Sequence, residues 1–567
     1  MEKRTILAVV LAALLAMAYQ ILFVKPPEPQ PPAPTQKKDV PPPASAPPVS
    51  PGPAAPSVAA PITPKEAPAV PERKAVVEAP LYHAVVSSQG GRLEAWDLNY
   101  RGQKPMVVNG DLGPRGLTVS RSGGPARAIA FAVSPDSLVL SKGADQGEVK
   151  LVGEDGFGLR ITETLRFRAD SYVVEHEIKV ENRHTVAQSA DIMLGWTAPV
   201  EWPKDRDQRF QGQHPIRTVR LVGGSAQRED LAKVGSYQGP GAWVGLESEW
   251  YLTAFVPRGG SFQLAEAKHT ESKPGVSKPS EMVEVGLRGT LPSLQPGESW
   301  EGRVLTYIGP KEYGRLKGVG AGLEKSIYFG GFPLPQAYGG LPMEWLAVPI
   351  LWLMNLFYTY IGNYGVAIIL LTIITKVLFF PLTIKSMTSM KAMQALQPQI
   401  NAIRAKYKND PQRMQQETMT LYRAHKVNPL GGCLPMVVQI PIFYALYVAL
   451  SVSVELQNQP FICFGRLFGV DLWICDLAAH DPTYVLPLLM GASMFIQQKI
   501  TPVMGDPRQA KMMLFMPVVF TFMFLSLPSG LVLYWTLSNV FQIAQQKYME
   551  RSGKKVEKVP ARAPKKA

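Results

Sequence analysis

The sequence predicts an α-helical polytopic membrane protein with six spans, carrying one large antiparallel β-sandwich domain outside the bilayer. Three observations carry that reading: six segregated apolar stretches, a long middle region with two-residue alternation, and basic residues gathered into loops that all fall on one predicted side. Averages over the 567 residues hide this segregation. Mean hydropathy is +0.00 and charged residues are 18% of the chain, fewer than the roughly 25% of a soluble protein. An apolar content of 46% excludes a fully disordered chain, and three cysteines exclude a disulfide scaffold.

Met1-Glu-Lys-Arg4 precedes Thr5–Val24, 20 residues without a charge, enough to cross a ~30 Å hydrocarbon layer at ~1.5 Å per residue. Residues 1–24 are expected to form an uncleaved anchor, because apolar residues continue through Ile21–Val24, beyond where a cleaved signal should end. Residues 25–80 form a tether: 19 of the 52 prolines lie here, with almost no aromatics, so the segment cannot bury a core. Residues 81–325 form the β domain. Tyr172, Val174, His176, Ile178 and Val180 alternate with Val173, Glu175, Glu177, Lys179 and Glu181, as in a half-buried strand, and clusters such as Gly90-Gly91 supply turns.

Residues 340–362 read as an interfacial amphipathic helix and 363–383 as the second span, separated by Gly362-Asn363-Tyr364-Gly365. Residues 384–428 read as a cytoplasmic helical hairpin, with Asp410 capping its second arm and Pro411 in the first turn. Methionines 387, 390, 393, 414 and 419 make that hairpin a candidate surface for apolar peptides, or a self-packed pair. Four further spans, at about 433–454, 483–500, 512–527 and 531–546, fill 429–546, and 547–567 is a basic tail. The hairpin and the tail each hold eight basic and two acidic residues, whereas 456–482 holds one Arg and three Asp. The positive-inside rule therefore places both termini and the hairpin in the cytoplasm, with the β domain outside. These two blocks account for +12 of the formal +14.

Signatures of nucleotide-driven or hydrolytic chemistry are absent: no G-x-x-x-x-G-K-[ST], no H-E-x-x-H, no G-x-S-x-G, and seven dispersed His without ligand spacing. No cofactor, metal site or enzymatic activity is expected. Cys463 and Cys475 share one outer connection, as a pair or as two thiols. One charge, Lys376, sits deep in an apolar span, where insertion costs ~2.5–3.5 kcal/mol, so it calls for water, a partner or a use. Thr372 shares its helix face by i, i+4 spacing, while Thr375 points elsewhere. Gln439, Ser493, Gln497, Thr536, Ser538, Asn539 and Gln542 add polar groups without any intramembrane acid, which disfavours cation-coupled transport. The 15-residue stretches Met513–Leu527 and Leu531–Gln545 suggest a locally thinned bilayer.

Asn428-Pro-Leu-Gly-Gly-Cys-Leu-Pro-Met-Val-Val-Gln-Ile-Pro-Ile-Phe443 resembles the start of the third span in the YidC/Oxa/Alb family of membrane protein insertases. So do Leu472-Trp-Ile-Cys-Asp-Leu477, Asp481-Pro482, Leu489-Met-Gly491 and Leu527-Pro-Ser-Gly-Leu-Val-Leu-Tyr-Trp535 at their own places. The outer domain looks like the periplasmic β-sandwich of Gram-negative members. The resemblance implies a five-helix insertase core whose groove opens to cytoplasm and lipid but is closed outside. Lys376 stands where many members carry Arg, keeping the charge without the planar fork. Thr372, Gln439, Tyr534 and Trp535 complete the expected substrate groove, although the second aromatic is commonly Tyr in the family. The implied activity is insertion and chaperoning of nascent inner-membrane proteins without ATP, alone or with the Sec translocon. Ribosome contact through the basic tail and cytoplasmic loops, and contact with membrane lipids, are implied as well. The rival readings are a transporter or lipid scramblase using the same groove, and a scaffold for translocation machinery.

Overall fold

The computed structural model describes residues 72–551, apart from 101–102, 106–115, 122–123, 202–215, 272–279, 333–339, 426, 428–433, 468–469 and 501–506. The predicted anchor 1–24, most of the tether, tail residues 552–567 and the Asn428–Cys433 portion of the longest motif lie outside the described residues.

Strand formation begins earlier than composition suggests. Lys74–Glu78, assigned above to the tether, is a strand that pairs antiparallel with Tyr82–Ser87 and parallel with Ser137–Val139. Its Ala75 and Val77 are fully buried. A short local alternation outweighs the proline-rich surroundings because neighbouring strands supply partners on both sides.

The domain is built on a nine-stranded and a six-stranded sheet, with a five-stranded sheet alongside, among the described residues. At the heart of the nine-stranded sheet, Val173–Asn182 lies between Leu159–Arg168 and Ser299–Pro310, antiparallel to both. Its predicted alternation holds from Val174 onward, with Val174, Ile178 and Val180 fully buried, His176 nearly so and Glu175 facing solvent, whereas Val173, expected outside, is buried as well. The sheets meet through large side chains. Trp196 of the six-stranded sheet lies 4.7 Å from Phe255 of the nine-stranded one, and Tyr82 of the five-stranded sheet 6.5 Å from Phe167. Gly90 and Gly91, at φ 73° and 64°, turn the chain between two strands. A Cβ on Gly91 would also meet the Glu163 carboxylate at 2.7 Å. That carboxylate bonds His176 Nδ1 at 2.8 Å, and Thr306 Oγ1 lies 2.9 Å from His176 Nε2, so the buried histidine is a satisfied core group.

A second buried polar group ties the sandwich to the segment that leads into the helices. Glu247 receives Lys311 Nζ at 2.8 Å and Arg228 Nε at 3.1 Å, with Arg217 Nε at 3.4 Å. Burial drives the Lys311 ammonium below its ordinary value, against the opposing pull of Glu247. Arg228 also donates to the carbonyls of Lys325 and Ser326, on the segment leaving the domain.

Helix α1 is Tyr313–Val319, and α2, Glu344–Ile361, buries Ala347, Ile350, Leu351 and Met354 while exposing Trp345, Trp352 and Tyr360. Gly362 closes α2 at φ 72°, and the Asn363 side chain caps α3 by accepting from Val366 N at 3.1 Å. Helix α3 runs unbroken over Tyr364–Ala395. The helix therefore carries Pro381 within it and continues through residues assigned above to the hairpin, stopping just before Gln397-Pro398, because the Lys, Met, Ala and Gln that follow Pro381 are strong helix formers. It is the one described helix both long and apolar enough to cross a membrane by itself. Two shorter helices, α4 (Gln397–Lys406) and α5 (Pro411–Ala424), make the hairpin, with Asp410 accepting from Arg413 N at 3.0 Å.

Helices α6 (Leu434–Val452), α7 (Val485–Ile500), α8 (Pro507–Phe524) and α9 (Ser529–Arg551) come next along the chain. The two 15-residue stretches become helices of 18 and 23 residues, because helix-forming polar residues extend each past its apolar part. The added residues are polar, so the helices lengthen while their apolar parts stay short, Leu514–Phe524 in α8, and mismatch with the bilayer is set by the apolar part. The sandwich meets the chain just past the C-terminal end of α6, where Tyr251 donates to Gln457 Oε1 at 3.2 Å, and Phe332, after the last sandwich strand, lies 5.5 Å from Tyr444 within α6.

Candidate functional site

Lys376 lies 12 residues along α3, ~18 Å from its start. It is half-buried, and its Nζ donates to Gln542 Oε1 of α9 at 3.3 Å. The first charged residue after it on α3 is Lys385, and none precedes it in the helix. Gln542 is neutral, so this hydrogen bond satisfies one donor of the ammonium without cancelling its charge. No described ion pair involves Lys376, and α3, α6, α7 and α8 contain no Asp or Glu.

The two threonines beside it make different bonds. Thr372, expected in the groove, is fully buried with its hydroxyl on the Ile368 carbonyl at 2.7 Å. Thr375, expected to point away, belongs with Gln439 of α6 around the Tyr534 hydroxyl of α9, while its own hydroxyl donates to Thr372 O at 2.8 Å. Spacing of i, i+4 ranks the two correctly only relative to Lys376. Crossing helices bring partners from both sides, and helix spacing alone does not reveal them.

Tyr534 and Trp535 open an aromatic layer between α6, α8 and α9. Tyr534 is almost fully buried; Trp535 meets Phe443 edge-on at 4.4 Å and Phe524 at 5.1 Å, with Phe520 at 6.2 Å. Phe443 and Phe524 escape sequence reasoning because apolar aromatics in a span carry no signal distinguishing a wall from lipid-facing surface. Gln542 lies eight residues beyond Tyr534, ~12 Å farther along α9. Lys376 therefore reaches from the aromatic layer toward the C-terminal ends of α3 and α9.

Those ends border a cavity of about 450 Å³, lined among others by Met387, Met390 and Met549, with Lys391, Gln394 and Gln546 at its polar side. At the opposite end the helices are tied to the connection between α6 and α7. Ser529 N bonds Ala479 O at 2.7 Å, Gly530 N bonds Leu477 O at 3.0 Å, and Asn363 Nδ2 bonds Phe461 O at 3.1 Å. The remaining polar residues serve packing. Asn539 donates to Ser493 Oγ at 3.1 Å and Gln546 to Ile500 O at 2.9 Å, joining α9 to α7; Thr536 bonds its own helix at Val532 O. Groups of three or more potential metal ligands are absent among the described residues.

Residues 356–557 match the 60Kd inner membrane protein family, and residues 74–353 match the YidC periplasmic domain. The chain is 38% identical over 574 residues to the membrane protein insertase YidC of Syntrophus aciditrophicus, covering 97% of this chain and 100% of that one. It is 39% identical to the Geobacter sulfurreducens protein of the same name, over 97% of this chain and 99% of the other. A solved structure described as an active YidC insertase aligns with 96% of this chain and 99% of its own, at 18% identity and a TM-score of 0.35. Full-length identity at this level, spanning both the β domain and the helices around Lys376, shows that the chain belongs to the membrane protein insertase YidC family.

Proposed function

We propose that this protein inserts inner-membrane proteins and assists their folding, alone or with the Sec translocon, without hydrolysing ATP. The observation that carries the reading is Lys376: a charge within an apolar helix whose described partner is the neutral Gln542. An unneutralised ammonium in a low-dielectric groove attracts acidic or polar residues of an incoming segment far more strongly than it would in water. Burial of the new apolar span in lipid then supplies the driving force. Lys376, Gln542, Gln439, Thr375 and Tyr534 would hydrate or hold the polar flank, while Trp535 and Phe443 present apolar surface. Both termini and the hairpin lie in the cytoplasm on this reading, and the basic residues after Arg551 serve an electrostatic, salt-sensitive contact with ribosome or anionic lipid.

The test replaces Lys376 with Ala, Arg or Glu in a strain depleted of its own insertase and tracks insertion of a small two-span substrate. Arg should support insertion, Ala should impair it and Glu should abolish it. Normal insertion with all three would overturn the groove reading.

A further inference from the structure

We propose that the outer hairpin between α6 and α7 is a lipid anchor, which seats an aromatic pair in the headgroup layer of the outer leaflet. This goes beyond substrate insertion and does not depend on Lys376. Strands Ile462–Leu467 and Val470–Ile474 form the hairpin, and Cys463 and Cys475 are joined by a disulfide at its base. The disulfide settles which of the two cysteine states holds. Phe464 is 71% exposed and stacks on the half-buried Trp473, whose indole Nε1 is enclosed, with ring centroids 6.1 Å apart and planes within 4°. Trp473 sits at φ 72°, a region bulky residues rarely adopt, so the surrounding pairing must hold it there.

Position identifies the occupant. Phe461, just before the hairpin, packs on Gly365 so tightly that a Cβ there would fall 2.1 Å from its ring, and its carbonyl accepts from Asn363 Nδ2. Asn363 is the cap of the membrane-crossing α3, so the hairpin base is pinned at the level where that helix leaves the bilayer. Exposed apolar side chains recur at the start of α7, where Tyr484, Val485, Leu488 and Leu489 are all exposed. Tryptophan and tyrosine collect at this depth because an amphipathic ring is most stable at the headgroup boundary, and the exposed phenyl ring of Phe464 gains there by leaving water. A soluble partner protein would need no such registration with a helix end.

The test introduces p-benzoylphenylalanine at Phe464 in the full-length protein, reconstituted in vesicles of phosphatidylethanolamine and phosphatidylglycerol and, in parallel, left in native membranes. Irradiation should give phospholipid adducts in both settings, several-fold above those from the same probe at Val139, an exposed position of the β domain. A second measurement leaves Phe464 intact. In vesicles containing lipids brominated near the headgroup, the quenched share of tryptophan emission should fall in Trp473→Phe relative to the parent. Absence of lipid adducts, predominance of a protein adduct in native membranes, or unchanged quenching in Trp473→Phe would overturn the anchor.

Discussion

The β domain and the helical core handle buried charge in opposite ways. In the sandwich, Glu247 is fully enclosed but surrounded by Lys311, Arg228 and Arg217, drawn from different strands and from the chain leaving the sheet. In the helical core the partner of Lys376 among the described residues is a neutral amide, and none of the described ion pairs joins two of the helices α3 and α6–α9. A water-exposed domain can recruit compensating charge from many strands, since each strand's outer residues are charged already. A membrane bundle has almost no charge to recruit. A lone ammonium retained there keeps its field available to a molecule from outside, whereas the same field around Glu247 is consumed internally.

The largest expected effect breaks the compensated side. Glu247→Ala leaves Lys311, Arg228 and Arg217 facing one another without their acid, and should destabilise the β domain by about 3–5 kcal/mol. Denaturant unfolding of the full chain in detergent, read by amide protection of Arg217–Val222 and Trp243–Glu247, would show it; the amides of α3 and α9 should be unaffected. Equal loss in both regions would mean that sandwich and bundle unfold as one unit. Next in size is Gly245→Ala. A Cβ there would lie 2.1 Å from the Thr253 carbonyl oxygen, which paired strands cannot move, so a cost of about 1–3 kcal/mol is expected by the same readout. Gly491 of α7 offers the bundle counterpart: its Cβ would meet the Thr521 Oγ1, a side-chain atom able to rotate, so Gly491→Ala should cost less.

Lys376→Ala sharpens the contrast from the other side. It removes one hydrogen bond to Gln542 and a charge that costs free energy to bury, so stability should change by no more than about 1 kcal/mol. Insertion should nevertheless be impaired. A large loss of stability, read by thermal unfolding in detergent, would mean the ammonium holds the bundle together and is not held in reserve.

The same contrast explains what is legible from sequence. In the sandwich, period-two alternation announces which side chains of Val173–Asn182 are inside, because burial there tracks backbone geometry directly. The cap at Asp410 and the break at Gly362 are equally local signals. Lys376 is conspicuous because a charge among apolar residues is rare. Its partner is not. Gln542 lies 166 residues away, and nothing local separates it from Gln546, which bonds Ile500 O instead. What Thr372 and Thr375 meet across the bundle is hidden for the same reason, since the neighbours of a helix face depend on crossings made by distant segments. Helix ends are misplaced where hydropathy is read as structure: α3, α8 and α9 all continue into polar sequence that forms helix well.

The smallest effect concerns pH and separates the two regions without touching either core. Burial raises the Glu94 carboxyl, but hydrogen bonds and charge from Lys74 and Arg92 outweigh it and hold the group below its usual value near 4.5. Its contacts, 2.7 Å to Lys74 and 2.6 Å to Arg92, knit the first strand of the domain to Leu93–Asn99. A carboxylate with a depressed native value binds fewer protons folded than unfolded, so its stabilisation is complete above about pH 4.5 and fades as pH falls through the native value. Lys74 is half in solvent, so the contribution should stay below about 1 kcal/mol. Glu94→Gln should flatten the acid limb of stability for the strands Lys74–Glu78 and Leu93–Asn99, measured by hydrogen exchange from about pH 6 down to about pH 3, and leave exchange in α3 and α9 unchanged. An unaltered acid limb would assign the pH response of the first strand to other carboxylates, with Glu72 beside Arg92 as the first to replace.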